Sequence, residues 1–147
     1  MLINSRVVIS VKNCVLLLAF ASFNAAVTAD IAVIASPDVP SVDKASLKKI
    51  FLKKTGSYAN GLAAFPCDLP DENPLKWRFY RSVIDKEPAQ INSFWSRALF
   101  TGAAEPPREY RTELSLIKTI QAGSGLIGYI DVKQVKADMN VVYIQSE

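Results

Sequence analysis

The sequence predicts an α/β fold in which a small mixed sheet carries helices on both faces. The chain contains short continuous apolar runs, which are typical of strands that are buried on both sides. These runs alternate with longer segments whose apolar residues recur at helical spacing. The runs are 30–35, 62–67 and 126–130. The second run leads through a proline-fenced polar turn, Cys67–Pro74, directly into a helix. The predicted order is strand, helix, strand, two helices, loop, helix, strand, short helix or turn, and strand, which belongs to the α/β class.

Residues 1–29 have the pattern of a secretory signal peptide. Arg6 and Lys12 give a positive beginning, 14–21 is apolar, and small residues precede Ala29. The apolar run is too short to span a bilayer. We therefore predict export to the periplasm, cleavage after Ala29, and one domain over residues 30–147.

The composition argues against several classes of function. Loss of Arg6 and Lys12 would lower the formal charge from +3 to +1, which leaves no electrostatic footprint for nucleic acid. Histidine is absent, so His-dependent triads, imidazole zinc sites and the usual general base at neutral pH are excluded. The sequence predicts a protein that is not an enzyme and that uses no cofactor and no metal.

The first helix is predicted to follow the break at 36–41, with Asp43 as its N-cap. Its inward stripe is Leu47, Ile50 and Phe51. The other faces carry Lys44, Lys48, Lys49, Lys53 and Lys54. These lysines form either a docking patch for an acidic partner or lipid surface, or a solvated helix face, and the pattern favours the solvated face.

The central helix begins beside the polar turn. Asn60-Gly61, a strong hairpin signal, precedes the strand 62–67. Asn73 is a favoured N-cap and Pro74 suits the first helical position. Lys76 is the one charge within the apolar arc of this helix. It either reaches toward the turn or covers apolar surface, and we favour the second interpretation.

Two further helices complete the helical set. Pro88 opens the first of them, and its predicted inward stripe is Ile91, Phe94, Trp95, Ala98 and Leu99. We expect Trp77 and Trp95 to pack as a pair against the sheet. Residues 101–107 form an extended loop. The last helix is capped by Thr112 and is predicted to direct Leu114, Ile117 and Ile120 inward.

Two features near the polar turn could carry chemistry. Cys67 could be a thiol nucleophile, but a thiolate needs a base or a nearby positive charge, so a packed strand cysteine is favoured. Asp68, Asp71 and Glu72 could hold a hard cation. Their spacing does not match the twelve-residue calcium loop, and solvated turn acids are favoured.

Four stretches carry a resemblance to a known family: 46–52, 94–102, 106–109 and 125–129. Through them the chain resembles the type II periplasmic binding proteins, specifically the phosphate ABC-transporter substrate-binding family, and within it a group of short single-lobe exported proteins. The resemblance implies one lobe of a periplasmic-binding-protein-like type II fold. It also implies a small anion such as phosphate as ligand, and an ABC-transporter membrane component or another envelope protein as partner.

The turn Cys67–Pro74 departs from the family pattern. In full-length members the equivalent turn is a basic segment, rich in Gly and Ser, that wraps phosphate. Two hypotheses follow: a solute-binding module of an uptake or sensing system, or a periplasmic interaction module that kept the lobe and lost its ligand. A ligand site would lie at the C-terminal ends of strands 30–35 and 62–67. Its residues would be Ser36, Ser41, Asp68, Asn73 and Lys76.

Overall fold

Residues 30–146, which the computed structural model describes, form a five-stranded sheet with helices on both faces, as predicted. The order of strands across the sheet is β3-β2-β4-β1-β5. The strands are β1 (Ile31–Ala35), β2 (Phe65–Asp68), β3 (Arg108–Glu109), β4 (Leu126–Asp131) and β5 (Asn140–Gln145). The helices are α1 (Lys44–Phe51), α2 (Pro74–Phe79), α3 (Pro88–Thr101) and α4 (Glu113–Ala122). A π-helical turn (Tyr80–Ile84) continues α2, and a 3-10 turn (Val132–Gln134) follows β4.

The strand directions determine which residues can share a site. β1 runs antiparallel to both β4 and β5, whereas β2 runs parallel to β4 and to β3. β1 and β2 therefore run in opposite directions, and their C-terminal ends lie at opposite ends of the sheet. The prediction of one site at the C-terminal ends of 30–35 and 62–67 is wrong, because it assumed that the two strands are parallel.

The N-terminal half of the fold follows its local signals. Asp43 accepts a hydrogen bond of 2.6 Å from Ser46 N and caps α1, whose Leu47, Ile50 and Phe51 are buried as predicted. The core behind α1 is aromatic: the Phe79 and Tyr129 rings stack with centroids 4.0 Å apart, and Phe51 packs against both.

One boundary near the centre of the chain differs from the prediction, and the central helix has an unusual end. β2 begins at Phe65 instead of residue 62, because the preceding residues form a hairpin-like turn with a single bridge between Ser57 and Ala63. The central helix changes to π geometry at Tyr80 and ends at Asp85, whose backbone is left-handed with φ of 56°.

The inward faces of α3 and α4 are narrower than predicted. Leu99 is 54% exposed and Leu114 is 58% exposed, so their assignment to the core is wrong. The buried residues are Ile91, Trp95 and Ala98 in α3, and Leu116, Ile117 and Ile120 in α4. Trp95 is in the core, whereas Trp77 is only partly buried, so the tryptophans do not form an equivalent pair. Each helix contacts the sheet through one stripe of apolar residues, and the residues on either side of that stripe are exposed to solvent.

Among residues 30–146 no helix combines the length and apolarity needed to cross a bilayer. The predicted signal peptide, 1–29, lies outside the described residues, and so does its cleavage site.

Candidate functional site

Asp68, the last residue of β2, is the buried centre of the polar turn. It is 3% exposed. Its carboxylate accepts hydrogen bonds from the Tyr80 hydroxyl at 2.7 Å, from the Tyr129 hydroxyl, and from Leu69 N at 2.9 Å. Burial raises the pKa of Asp68, and the nearby charge of Lys76 and these hydrogen bonds offset only part of that effect. The π-helical turn and β4 thus supply the donors that stabilise a carboxylate inside the protein.

Lys76 is also buried, with 5% exposure. Its Nζ lies 2.7 Å from Glu109 Oε1, 2.8 Å from Asp71 Oδ1 and 3.7 Å from Asp68 Oδ2. Burial lowers the pKa of Lys76, but the carboxylates of Asp68, Asp71 and Glu109 more than offset this and raise it above its ordinary value. The interpretation that Lys76 merely covers apolar surface is wrong, and so is the view that all three turn acids are solvated.

Glu109 is the site residue that the sequence did not reveal. It lies on β3, and the parallel pairing of β2 with β3 places it opposite Asp68. β3 is a two-residue strand that follows a proline-rich loop, so neither length nor alternation predicts it. Its one signal was membership in the segment 106–109 that carries the family resemblance.

We call Lys76 with Asp68, Asp71 and Glu109 the Lys76 cluster. One lysine and three acidic side chains give it a formal charge of −2, and Glu72 beside it is a further exposed acid. An incoming anion would meet negative potential and a lysine that already has two direct carboxylate partners. The chain described here, 30–146, also contains no group of three metal-ligating side chains arranged to hold an ion.

Asn73 lies beside the Lys76 cluster, but its side chain caps α2. Its side-chain oxygen accepts a hydrogen bond of 3.0 Å from Leu75 N, and Pro74 occupies the first helical position. Both N-terminal predictions for this helix are confirmed. The oxygen of Asn73 is therefore engaged as a cap.

Ser36 is fully buried at the other end of the sheet. Its hydroxyl donates to Ile120 O at 2.9 Å and accepts from Leu126 N at 3.1 Å, so it joins α4 to β4. Its predicted position beside Asp68 is wrong for the reason given above: β1 and β2 run in opposite directions.

Ser41 is exposed and follows β1 in the loop before α1. It lines a polar cavity of about 350 Å³. The hydroxyl-bearing and charged residues there are Ser41, Asp43, Ser46, Lys49, Thr55, Ser57 and Tyr58. The structure thus brings Asp68, Asn73 and Lys76 together and gives Ser36 and Ser41 other surroundings. Ligand binding by any of the five stays a prediction.

Cys67 is buried, as predicted, with its side chain in the core. Burial raises the pKa of its thiol to about 11. At neutral pH the sulfur therefore carries its proton, which leaves no thiolate for nucleophilic chemistry.

Comparison with solved structures identifies the fold. The chain is similar to a phosphate ABC transporter substrate-binding protein from Clostridium perfringens, crystallised with bound phosphate, with a TM-score of 0.60 and 13% identity over 78% of this chain. It is also similar to an ABC-type phosphate transport receptor from Vibrio cholerae, with a TM-score of 0.58, 8% identity and the same 78% coverage. The expected resemblance to phosphate substrate-binding proteins is confirmed at the level of the fold.

The coverage of those two proteins is partial. The chain spans 45% of the first and 46% of the second, less than half of either. No model of a protein family and no curated protein matches the sequence.

Proposed function

We propose that this protein is an exported single lobe of the phosphate substrate-binding fold that no longer binds free phosphate at its polar turn and acts as a periplasmic interaction module. The observation that carries the proposal is the state of Lys76. The buried lysine at the start of the central helix is neutralised by Asp71, Glu109 and Asp68 of its own chain. The structural neighbours are substrate-binding proteins, which supports a role without catalysis.

Displacing the carboxylates from Lys76 would be unfavourable. Asp68 is enclosed by tyrosine hydroxyls and cannot turn to water, so a phosphate at Lys76 would face a buried like charge at close range. Asp71 and Glu109 are more than half exposed as side chains and could rotate outward. Even then, one lysine and a short helix would have to hold an anion of charge about −1 to −2 against Asp68.

A solute-binding module for a small oxyanion is the second candidate. The observation that favours it is the fold shared with a protein crystallised with bound phosphate. In that case the partner would be the membrane component of an ABC transporter, and the polar cavity beside Ser41 would be the alternative place for the anion.

Calorimetric titration of residues 30–147 with orthophosphate tests the proposal. We expect a dissociation constant no tighter than about 1 mM, or about −4 kcal/mol. Micromolar binding that disappears in Asp68→Ala and in Lys76→Ala would overturn the proposal and restore the polar turn as the site. Micromolar binding that disappears in Ser41→Ala but survives Asp68→Ala would instead support the second candidate.

A further inference from the structure

A strongly charged surface of the described chain is a groove between α1 and the end of the π-helical turn. We call it the lysine groove. Its volume is about 630 Å³, and Leu52 and Ile84 lie among its apolar lining residues. The charged residues along it are Lys44, Lys48, Lys49, Lys54, Lys86 and Asp85.

The charge of the lysine groove is unbalanced. Five lysines and one aspartate give it a formal charge of +4, whereas the whole sequence carries only +3. Within residues 30–146 no carboxylate lies at ion-pair distance from Lys49, Lys54 or Lys86. Like charges this close repel one another, so the groove is stabilised by any anion that enters it.

Asp85 shows what kind of group the groove accepts. Its carboxylate contacts Lys44 at 3.2 Å and also contacts Lys48. The backbone of Asp85 is left-handed, a conformation that a non-glycine residue adopts at a cost, and the two ion pairs hold the side chain in the groove. A carboxylate from the chain itself thus pairs with two of the five lysines, and in the described part of the chain Lys49, Lys54 and Lys86 have none at ion-pair distance.

Shape and exposure favour a peptide over a membrane as the occupant. Helices that insert into a lipid surface combine basic residues with exposed apolar side chains that enter the bilayer. The large exposed apolar residues of the described chain are Phe65, Leu99, Phe100, Leu114 and Ile144, and none of them lines the groove. The groove is concave, whereas a bilayer surface is flat on this scale.

We propose that the lysine groove binds an acidic segment of a partner protein, whose carboxylates contact Lys49, Lys54 and Lys86 as Asp85 contacts Lys44 and Lys48. This inference rests on the proposed role as an interaction module and names the chemistry of the partner.

A labelled acidic peptide provides the test. The probe is a fluorescein-labelled octaglutamate peptide, and its fluorescence anisotropy is measured with the full chain at low salt and at physiological salt. The variant Lys54→Glu/Lys86→Glu reverses the charge on both sides of the groove. The control Arg97→Glu/Lys133→Glu makes the same change in net charge at exposed positions on α3 and the 3-10 turn. We expect the groove variant to weaken binding by about tenfold or more, as loss of a few exposed ion pairs implies, and the control to change it by less than about twofold.

The peptide and vesicle measurements can each reject the proposal that the groove binds an acidic segment. Absence of peptide binding, or equal weakening in the two variants, would overturn it, since binding would then follow net charge alone. Binding to vesicles of phosphatidylglycerol and phosphatidylcholine that is lost in the groove variant, without peptide binding, would overturn it in favour of a membrane. Lys54→Gln/Lys86→Gln should weaken binding less than the reversal does, and a thermal melt checks that each variant is folded. The phosphate titration is independent, because tight phosphate binding would reject the proposed function whatever the peptide does.

Discussion

Lys76 shows how the surroundings of one residue decide what its charge does. A lysine at the start of a helix that follows a strand is a natural anion ligand, since it adds a charge to the free N–H groups. Here the same lysine is buried against three carboxylates and completes an internal ion cluster. The sequence shows Asp68, Asp71 and Lys76 as neighbours, but only the fold brings Glu109 to them. Sequence reasoning therefore identified most of the cluster and misjudged its burial.

The Lys76 cluster should be energetically coupled. Lys76→Met keeps most of the apolar stem but leaves Asp68 buried without a cation, and we expect it to lower the free energy of unfolding by about 3–5 kcal/mol. Adding Asp68→Asn should recover part of that loss, because the buried charge is removed together with its partner. Urea unfolding of the two single variants and the double variant measures the coupling. Additive effects would show that Lys76 and Asp68 act independently.

The contribution of Asp68 to the free energy of unfolding should also depend on pH. Because burial raises the pKa of Asp68 in the folded state, the folded protein keeps this proton to higher pH than the unfolded chain does. The contribution of Asp68 to stability is therefore fully present below its unfolded pKa of about 4 and is lost as the pH rises through the raised folded pKa. Asp68→Asn should lack this loss, so its stability relative to the native protein should improve as the pH rises over that window.

At the scale of elements, the sequence predicts the features that depend on neighbouring residues, such as helix starts. It does not predict the features that depend on pairing between distant strands. The helix starts follow local signals. The N-caps are Asp43, Asn73 and Thr112, whose side chains accept hydrogen bonds from backbone N–H groups, and the prolines occupy first helical positions. A run of apolar residues does not determine the direction of its strand in the sheet, so the antiparallel placement of β1 could not be predicted. The predicted site combined residues from both ends of the sheet for that reason.

α3 offers a matched pair of aromatic residues for testing the packing of this layer. Trp95 is buried, whereas Phe100 on the same helix is 93% exposed. Trp95→Ala should lower the free energy of unfolding by about 3–5 kcal/mol, because it leaves a cavity in the core. Phe100→Ala should change it by less than about 0.5 kcal/mol. Equal effects in chemical denaturation would mean that α3 does not pack on the sheet through Trp95.

At the scale of the whole molecule, charge is divided between two regions of one lobe. The Lys76 cluster is net negative and the lysine groove is net positive. A lobe that closes on a free anion would need a positive potential at its strand-to-helix turn. Here five lysines line the groove between α1 and the π-helical turn, away from the polar turn, which suits contact with another protein. The distribution of charge therefore agrees with an interaction module better than with a phosphate receptor.

Export is the prediction on which the periplasmic assignment depends, and the sheet restricts where the chain can be cut. β1 starts at Ile31, and the carbonyl of Asp30 already accepts a hydrogen bond of 3.0 Å from Val132 N. Cleavage after Ala29 would leave this contact and the whole of β1 intact, whereas a cut a few residues later would remove part of a strand that pairs on both sides. Mass spectrometry of the protein from the cell envelope should therefore find Asp30 as its first residue.

Arg6→Glu/Lys12→Glu, which removes the positive charges at the start of the chain, should reduce the exported fraction. Recovery of the intact chain from the cytosol alone would reject both the export and the function proposed for it.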